Sequence, residues 1–251
     1  MGSNEQFIIN SIVKICQKLD FKGFGANHDG NVSAKYGEKI FATPTAVSKG
    51  DITPEMIISL DLSGNKIAGI GKPFSEMQLH LAAYRSRPDI SAVVHAHPPY
   101  ATARGIAGQA LNRPAIPESV VSIGDNVPVA RFALPGDSAN INIIGEMLSV
   151  SNVFMLPGNG VLSVGADLTQ AYLRLELVEH LAKIDFIATH LGEPKYLTDA
   201  DVAKLMEKHL SSGLAAPNIQ GPGVKGQGSR NTEVYKLVEE EVEKALGQLG
   251  K

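Results

Sequence analysis

The run His95-Ala96-His97-Pro98-Pro99 constrains this chain more than any other stretch. It is reached through the apolar segment Ile90-Ser91-Ala92-Val93-Val94, whose β-branched residues favour a strand. Alternate side chains of a strand face the same way, so a strand running through His97 turns both imidazoles to one side. The two prolines cannot extend a ladder and end the strand just past the pair. The fold must therefore offer a sheet whose strand end presents two neighbouring histidines. Such a pair suits shared coordination of a divalent metal, and two histidines satisfied by hydrogen bonds fit the bare pattern equally well.

The surrounding pattern predicts many short strands with helices between them. Residues 5–19 read as an amphipathic helix, 27–31 as a turn, and 32–34 with 39–42 as a hairpin. Residues 53–55 open a helical turn. A strand over 57–62 turns through Ser63-Gly64-Asn65 into 66–69. Ser75 reads as the cap of a helix to Arg87, with Met77, Leu79, Ala82 and Ala83 on its apolar face. Further strands are expected over 90–96, 127–132 and 153–156. Helices are expected over 101–108, 140–150 and 168–191, the last capped by Asp167. This is the signature of an α/β sandwich with a mainly antiparallel central sheet between helices.

Composition narrows the function classes. Hydrophobic residues make up 43% of the 251, enough to bury a sizeable core. A formal charge of −3 without a basic block argues against nucleic acid as the main partner. The single cysteine, Cys16, excludes an intramolecular disulfide and suits a reducing compartment. There is no bilayer-spanning apolar run, and the N-terminus lacks a cationic region followed by an apolar one, so a cytoplasmic protein is expected. After His209 the composition changes. We divide the chain into a catalytic domain over 1–210, a Gly/Pro/Ser linker over 211–230 and an amphipathic helix over 231–251 carrying Val234, Leu237, Val238, Val242 and Leu246. That helix either folds back on its parent or docks on a partner. Its glutamates argue against an anionic membrane as the target.

Upstream of the histidines, Gly71-Lys72-Pro73-Phe74-Ser75-Glu76 places Glu76 at a helix start, where a carboxylate either caps the helix or, near a metal, acts as a general acid/base. Taken in order, Gly30-Asn31-Val32-Ser33, Thr43-Pro44-Thr45, Ser75-Glu76, His80 with Tyr84, Val93 to Pro98, and Gly158-Asn159-Gly160 followed by Gly165 and the Glu179-bearing helix resemble the class II aldolase/adducin family over roughly residues 5–195. That family includes fuculose- and rhamnulose-phosphate aldolases and ribulose-phosphate 4-epimerase. The resemblance implies a class II aldolase-like α/β/α sandwich that binds zinc and assembles as a homotetramer. It assigns His95 and His97 as metal ligands and Glu76 as the catalytic acid/base. Asn31, Thr43, Thr45 and Ser75 match segments that bind the substrate phosphate. The implied reaction cleaves a ketose 1-phosphate, such as fuculose or rhamnulose 1-phosphate, to dihydroxyacetone phosphate and an aldehyde through an enediolate. The alternatives are a pentulose-phosphate epimerase or dehydratase of the same fold, or a non-catalytic adducin-like interaction module.

The sequence departs from the family at telling places. Asn159 stands where the third histidine ligand is expected. Either Asn159 ligates, or His180 on the following helix substitutes, or the site binds metal poorly; the persistence of the pair and Glu76 favours a retained site. The family's Thr-Pro-Ser-Gly becomes Thr43-Pro44-Thr45-Ala46, without the glycine. In place of the family's tyrosine proton donor stands Ala115-Ile116-Pro117-Glu118, where Glu118 is the candidate donor and a solvated loop carboxylate is the plainer reading. The tethered tail resembles the encapsulation peptides of class II aldolases in bacterial microcompartments, which implies a shell protein as partner of 231–251.

Overall fold

The computed structural model describes residues 2–133 and 139–216. Seven strands, β1 (Asn31–Tyr36), β2 (Lys39–Ala42), β3 (Ile58–Asp61), β4 (Lys66–Ala68), β5 (Ala92–Ala96), β6 (Val153–Met155) and β7 (Val161–Gly165), form one sheet in the order β4-β3-β2-β1-β5-β7-β6. Each neighbouring pair is antiparallel. Helices α1 (Ser3–Phe21), α2 (Met77–Ser86), α3 (Pro99–Ile106), α4 (Pro117–Ile123), α5 (Ala139–Leu148), α6 (Leu168–Leu191) and α7 (Asp199–Ser211) surround it.

Strand parity sorts the interior into two cores. In β5, Ala92, Val94 and Ala96 join Ile9, Ile12 and Leu19 of α1 and Tyr172, Leu175 and Val178 of α6. Val93 faces the other way, into a core with Leu81 and Ala83 of α2 and Ile143, Ile144 and Leu148 of α5. The same parity places His95 on the α2 side. Register carries it across to β1, where Asn31 lies opposite His95 and Ser33 opposite Val93, while Val32 and Ala34 enter the α1–α6 core. The result is the α/β/α sandwich with an antiparallel centre that the sequence implies.

Three elements go beyond the sequence pattern: β7, α4 and α7. One expected strand is absent. Over 127–132 only isolated bridges form, Val127 to Leu111 and Val129 to Met155, because Pro128 between them has no N–H to extend a ladder. Ser75 does not cap α2. It is exposed, Glu76 occupies the cap position, and the Glu76 side chain turns away from the helix end toward other partners. Thr198 caps α7 by accepting from Asp201 N. The helix then packs on α4, where His209 Nδ1 donates to Val121 O at 2.8 Å. Its last residue is Ser211, and Leu214 O accepts from Asn152 Nδ2 and Arg174 Nη2, both at 2.9 Å, so fixed structure runs past the expected start of the linker. The helix expected over 231–251 and the linker beyond 216 lie outside the described residues. No described helix is long and apolar enough to cross a membrane.

The loop from β6 to β7 crosses directly over the end of β5. Gly160 holds φ +70, and a Cβ there would overlap the carbonyl oxygen of Ala96 and the His97 ring. Gly160→Ala therefore combines a left-handed backbone penalty with a steric clash and should lower unfolding free energy by about 2 kcal/mol or more. Urea denaturation measures it, and a stability equal to wild type would contradict this account.

Candidate active site

Four segments converge at the carboxyl end of β5: His95 with His97, Asn31 at the start of β1, Glu76 at the start of α2, and Asn159 in the β6–β7 loop. His95 is completely buried, and its Nδ1 donates to Val161 O at 3.0 Å. A carbonyl only accepts, so Nδ1 carries a proton and Nε2 is the nitrogen that faces the site. That Nε2 lies 3.3 Å from His97 Nε2 and 3.4 Å from Glu76 Oε2. His97 follows the strand end and is held by its backbone N–H, which donates to Phe24 O at 2.7 Å. Its outer nitrogen, Nδ1, stands 3.6 Å from Asp29 Oδ2. The expectation that both rings face one way is met, with centroids 5.1 Å apart.

Glu76 is tied at both oxygens. Oε1 accepts from Asn159 Nδ2 at 2.6 Å and Oε2 from Asn31 Nδ2 at 2.9 Å. Burial pushes its pKa up, but His95 and the two amides outweigh burial and hold it well below the usual carboxylate range. For His95 burial acts downward, and the Glu76 charge and the Val161 carbonyl reverse it, raising the ring above its ordinary value. His97 moves down, through burial and repulsion by His95.

The donors fit a metal ion. Two nitrogens bound tetrahedrally at about 2.0–2.1 Å lie about 3.3–3.4 Å apart, which is the separation of the two Nε2 atoms. The outer nitrogens meet a carbonyl and a carboxylate, the arrangement that orients metal-binding imidazoles. Among the described residues no group of three or more His, Cys, Asp and Glu side chains is placed to hold a metal. Asn159, bonded to Glu76, is the further polar side chain that acts on the His97 ring.

The other expected site residues divide. Thr45 and Ser75 are exposed on adjoining loops, joined by Thr45 N donating to Lys72 O at 3.0 Å and by a Pro44–Pro73 bridge. Thr43 is completely buried and its Oγ1 accepts from Val32 N at 3.2 Å, so it braces the turn from within. The structure does not bring His180 to the pair. On α6 it is Glu179 that turns inward, accepting from Tyr100 N and Ala101 N at the start of α3, and this leaves His180 on the exposed face. Glu118 lies exposed in the first turn of α4, with no hydrogen bond to the converging groups among the described residues. His80, which the sequence pattern sets behind the site as a supporting or structural residue and not as a ligand, is bonded to Asn31 at 2.6 Å and to Ser33 at 2.7 Å. The signal was present: Glu76, His80 and Tyr84 recur every fourth residue, on one helix face.

The chain matches the family model described as the Class II Aldolase and Adducin N-terminal domain over residues 10–186. It is 33% identical to the L-fuculose phosphate aldolase of Methanococcus maripaludis over 183 residues, covering 73% of this chain and 98% of that protein. It is also 33% identical to the 3-oxo-tetronate 4-phosphate decarboxylase of Pectobacterium atrosepticum over 210 residues, covering 81% and 94%. Among solved structures, an L-fuculose 1-phosphate aldolase superposes with a TM-score of 0.74 at 28% identity, covering 83% of this chain and 97% of that one.

The depressed Glu76 has a consequence for acid stability. A carboxylate whose folded pKa lies below its free value of 4.5 stabilises the fold fully above that pH and loses this contribution as pH falls further. The metal-free wild type should therefore lose stability between about pH 4.5 and 3 more steeply than Glu76→Gln. Urea unfolding across that range decides it, and parallel slopes would contradict the depressed value.

Proposed function

This chain belongs to the class II aldolase and adducin family, and on that premise we propose that it is a metal-dependent lyase cleaving a ketose 1-phosphate, of the fuculose or rhamnulose 1-phosphate kind, to dihydroxyacetone phosphate and an aldehyde. The carrying observation is Glu76: an ionised, doubly anchored carboxylate 3.4 Å from one of two imidazoles whose inner nitrogens converge. His95 and His97 would hold a divalent metal, most simply zinc, through their Nε2 atoms, with Asn159 as the third donor. When bound, the metal polarises a carbonyl oxygen and stabilises negative charge developing on the substrate.

The chain's own residues do the rest. Glu76 takes the proton whose loss gives the enediolate of the three-carbon fragment, and returns it in the opposite direction. The amides of Asn31 and Asn159 fix both carboxylate oxygens, so little reorganisation is needed at that moment. Thr45 and Ser75 offer exposed hydroxyls to the phosphate. Glu118 stands as candidate donor to the aldehyde oxygen, apart from the other groups within one chain. A second reading, decarboxylation of a 3-oxo-tetronate 4-phosphate, is supported by a relative of that name aligned over 81% of this chain. Loss of carbon dioxide would leave the electron pair of the broken bond on the same three-carbon enediolate, which takes a proton to give dihydroxyacetone phosphate, so the same residues serve.

The proposal extends to a homotetramer in the cytoplasm, with 231–251 docking on a microcompartment shell protein. Removal of residues 217–251 should leave cleavage intact and abolish co-assembly with shell protein, and lost activity would count against a docking role. For the site itself, purified wild type should carry a divalent metal that His95→Ala and His97→Ala lose. Glu76→Gln should keep the metal and reduce kcat about 10²–10⁴-fold. Elemental analysis beside turnover of ketose 1-phosphates, ribulose 5-phosphate and 3-oxo-tetronate 4-phosphate separates the enzymatic readings. A metal-free wild type indifferent to chelators would favour a non-catalytic module.

A further inference from the structure

We propose that Tyr84, Ser33, His80 and Asn31 form a hydrogen-bond relay of fixed direction that positions the Glu76 carboxylate for proton transfer. The inference rests on Glu76 being the acid/base of the preceding section. It concerns three residues, Tyr84, Ser33 and His80, that lie outside the converging groups.

The direction follows from donor chemistry, link by link. Glu76 Oε2 is a carboxylate oxygen and only accepts, so Asn31 presents its Nδ2 there, at 2.9 Å. The other end of that carboxamide, Oδ1, then faces His80 Nε2 at 2.6 Å and can only accept. His80 must therefore carry its proton on Nε2. In the neutral ring Nδ1 is an acceptor, and at 2.7 Å it receives the Ser33 hydroxyl hydrogen. With its hydrogen committed, Ser33 Oγ accepts from Tyr84 O–H, also at 2.7 Å. Four links leave no freedom to reverse one without breaking the next.

The setting keeps the relay intact. His80 and Ser33 are completely buried and Asn31 and Tyr84 nearly so, which removes competing water. Phe74 packs edge-on against the His80 ring at 4.9 Å. Burial, reinforced by His95, pulls His80 down to about 3, so it stays neutral at working pH. Two periodicities build the line: residues 76, 80 and 84 on one face of α2, and 31 and 33 on one face of β1. An amide does not pass protons along as a hydroxyl or imidazole does. With Asn31 as its last link, the relay orients the carboxylate rather than conducting its proton. Ser33, His80 and Tyr84 are thus positioning residues.

Breaking the middle has a specific consequence. In Ser33→Ala, His80 Nδ1 loses its donor, the ring is free to take the other tautomer, and the Asn31 carboxamide can turn its oxygen toward Glu76. The test uses the metal-loaded full chain and follows exchange of the dihydroxyacetone phosphate C–H with deuterated solvent by NMR. Ser33→Ala should lower kcat for exchange about 10- to 100-fold with KM and metal content held. Tyr84→Phe should show a smaller change of the same sign. Independently of activity, long-range 1H–15N spectra of wild type should show His80 protonated on Nε2 and unchanged between about pH 5 and 8. A His80 proton on Nδ1, or variants that exchange at the wild-type rate, overturns the relay alone. Metal-loaded wild type that exchanges no proton overturns the acid/base reading and the relay with it.

Discussion

The pairing register of β1 against β5 decides whether there is a site at all. It sets Asn31 opposite His95 and Ser33 opposite Val93, on the face that α2 covers. A slip by one residue would turn Asn31 and Ser33 into the apolar core beneath α1 and α6 and bring Val32 and Ala34 to Glu76 and His80. Each buried polar group stranded that way costs roughly 1–3 kcal/mol. The apolar parity of Val32 and Ala34, and of Val94 and Ala92 opposite them, locks the register. Gly30 completes the constraint. It holds φ +78 where a Cβ would come 2.8 Å from the His95 carbonyl oxygen, so the chain enters β1 along a path that a glycine permits. The hydrophobic cores thus aim the polar residues.

How much of this could be read from sequence depends on the range of each interaction. The facing of His95 and His97 is a property of one strand, and parity reveals it. Glu76 is legible as a carboxylate at a helix start, but its partner Asn159 arrives through the β6–β7 crossing, which no local pattern encodes. His80 reads only as a supporting or structural residue, because a single histidine on an apolar helix face carries no direction. Only the coincidence of a four-residue period in α2 with a two-residue period in β1 exposes it. β7 escapes because every residue of Val161–Gly165 is buried, so the alternation that marks a half-buried strand is missing. The run at 127–132 misleads in the opposite sense, offering apolar residues without the N–H that Pro128 lacks.

In the proposed metal site, Asn159 changes the logic as well as the ligand count. An imidazole that gives Nε2 to a metal has one N–H left, directed outward. A carboxamide offers donor and acceptor together on one short side chain. Here it donates to Glu76 Oε1 at 2.6 Å. The group that would complete the metal's protein donors and the group that steadies the base are therefore one residue. The cost is a harder, weaker donor than imidazole toward zinc. The gain is a carboxylate held at both oxygens.

The backbone supports the view that this end of the sheet is held under constraint. Among the described residues, the non-glycine positions with positive φ are Asn27 and Ala46, and both lie in loops feeding the site. Asparagine tolerates that conformation. Alanine does so at about 1–2 kcal/mol, and it stands where the related motif has glycine. The left-handed turn survives the loss of glycine because the loop is gripped on two sides, by the Thr45–Lys72 backbone bond and the Pro44–Pro73 bridge. Strain that persists because its surroundings over-determine it gathers where geometry matters to function. Here it fixes Thr45 beside the segment leading to Ser75 and Glu76, so the hydroxyls and the carboxylate to which the proposed function gives phosphate binding and proton transfer belong to one braced loop system.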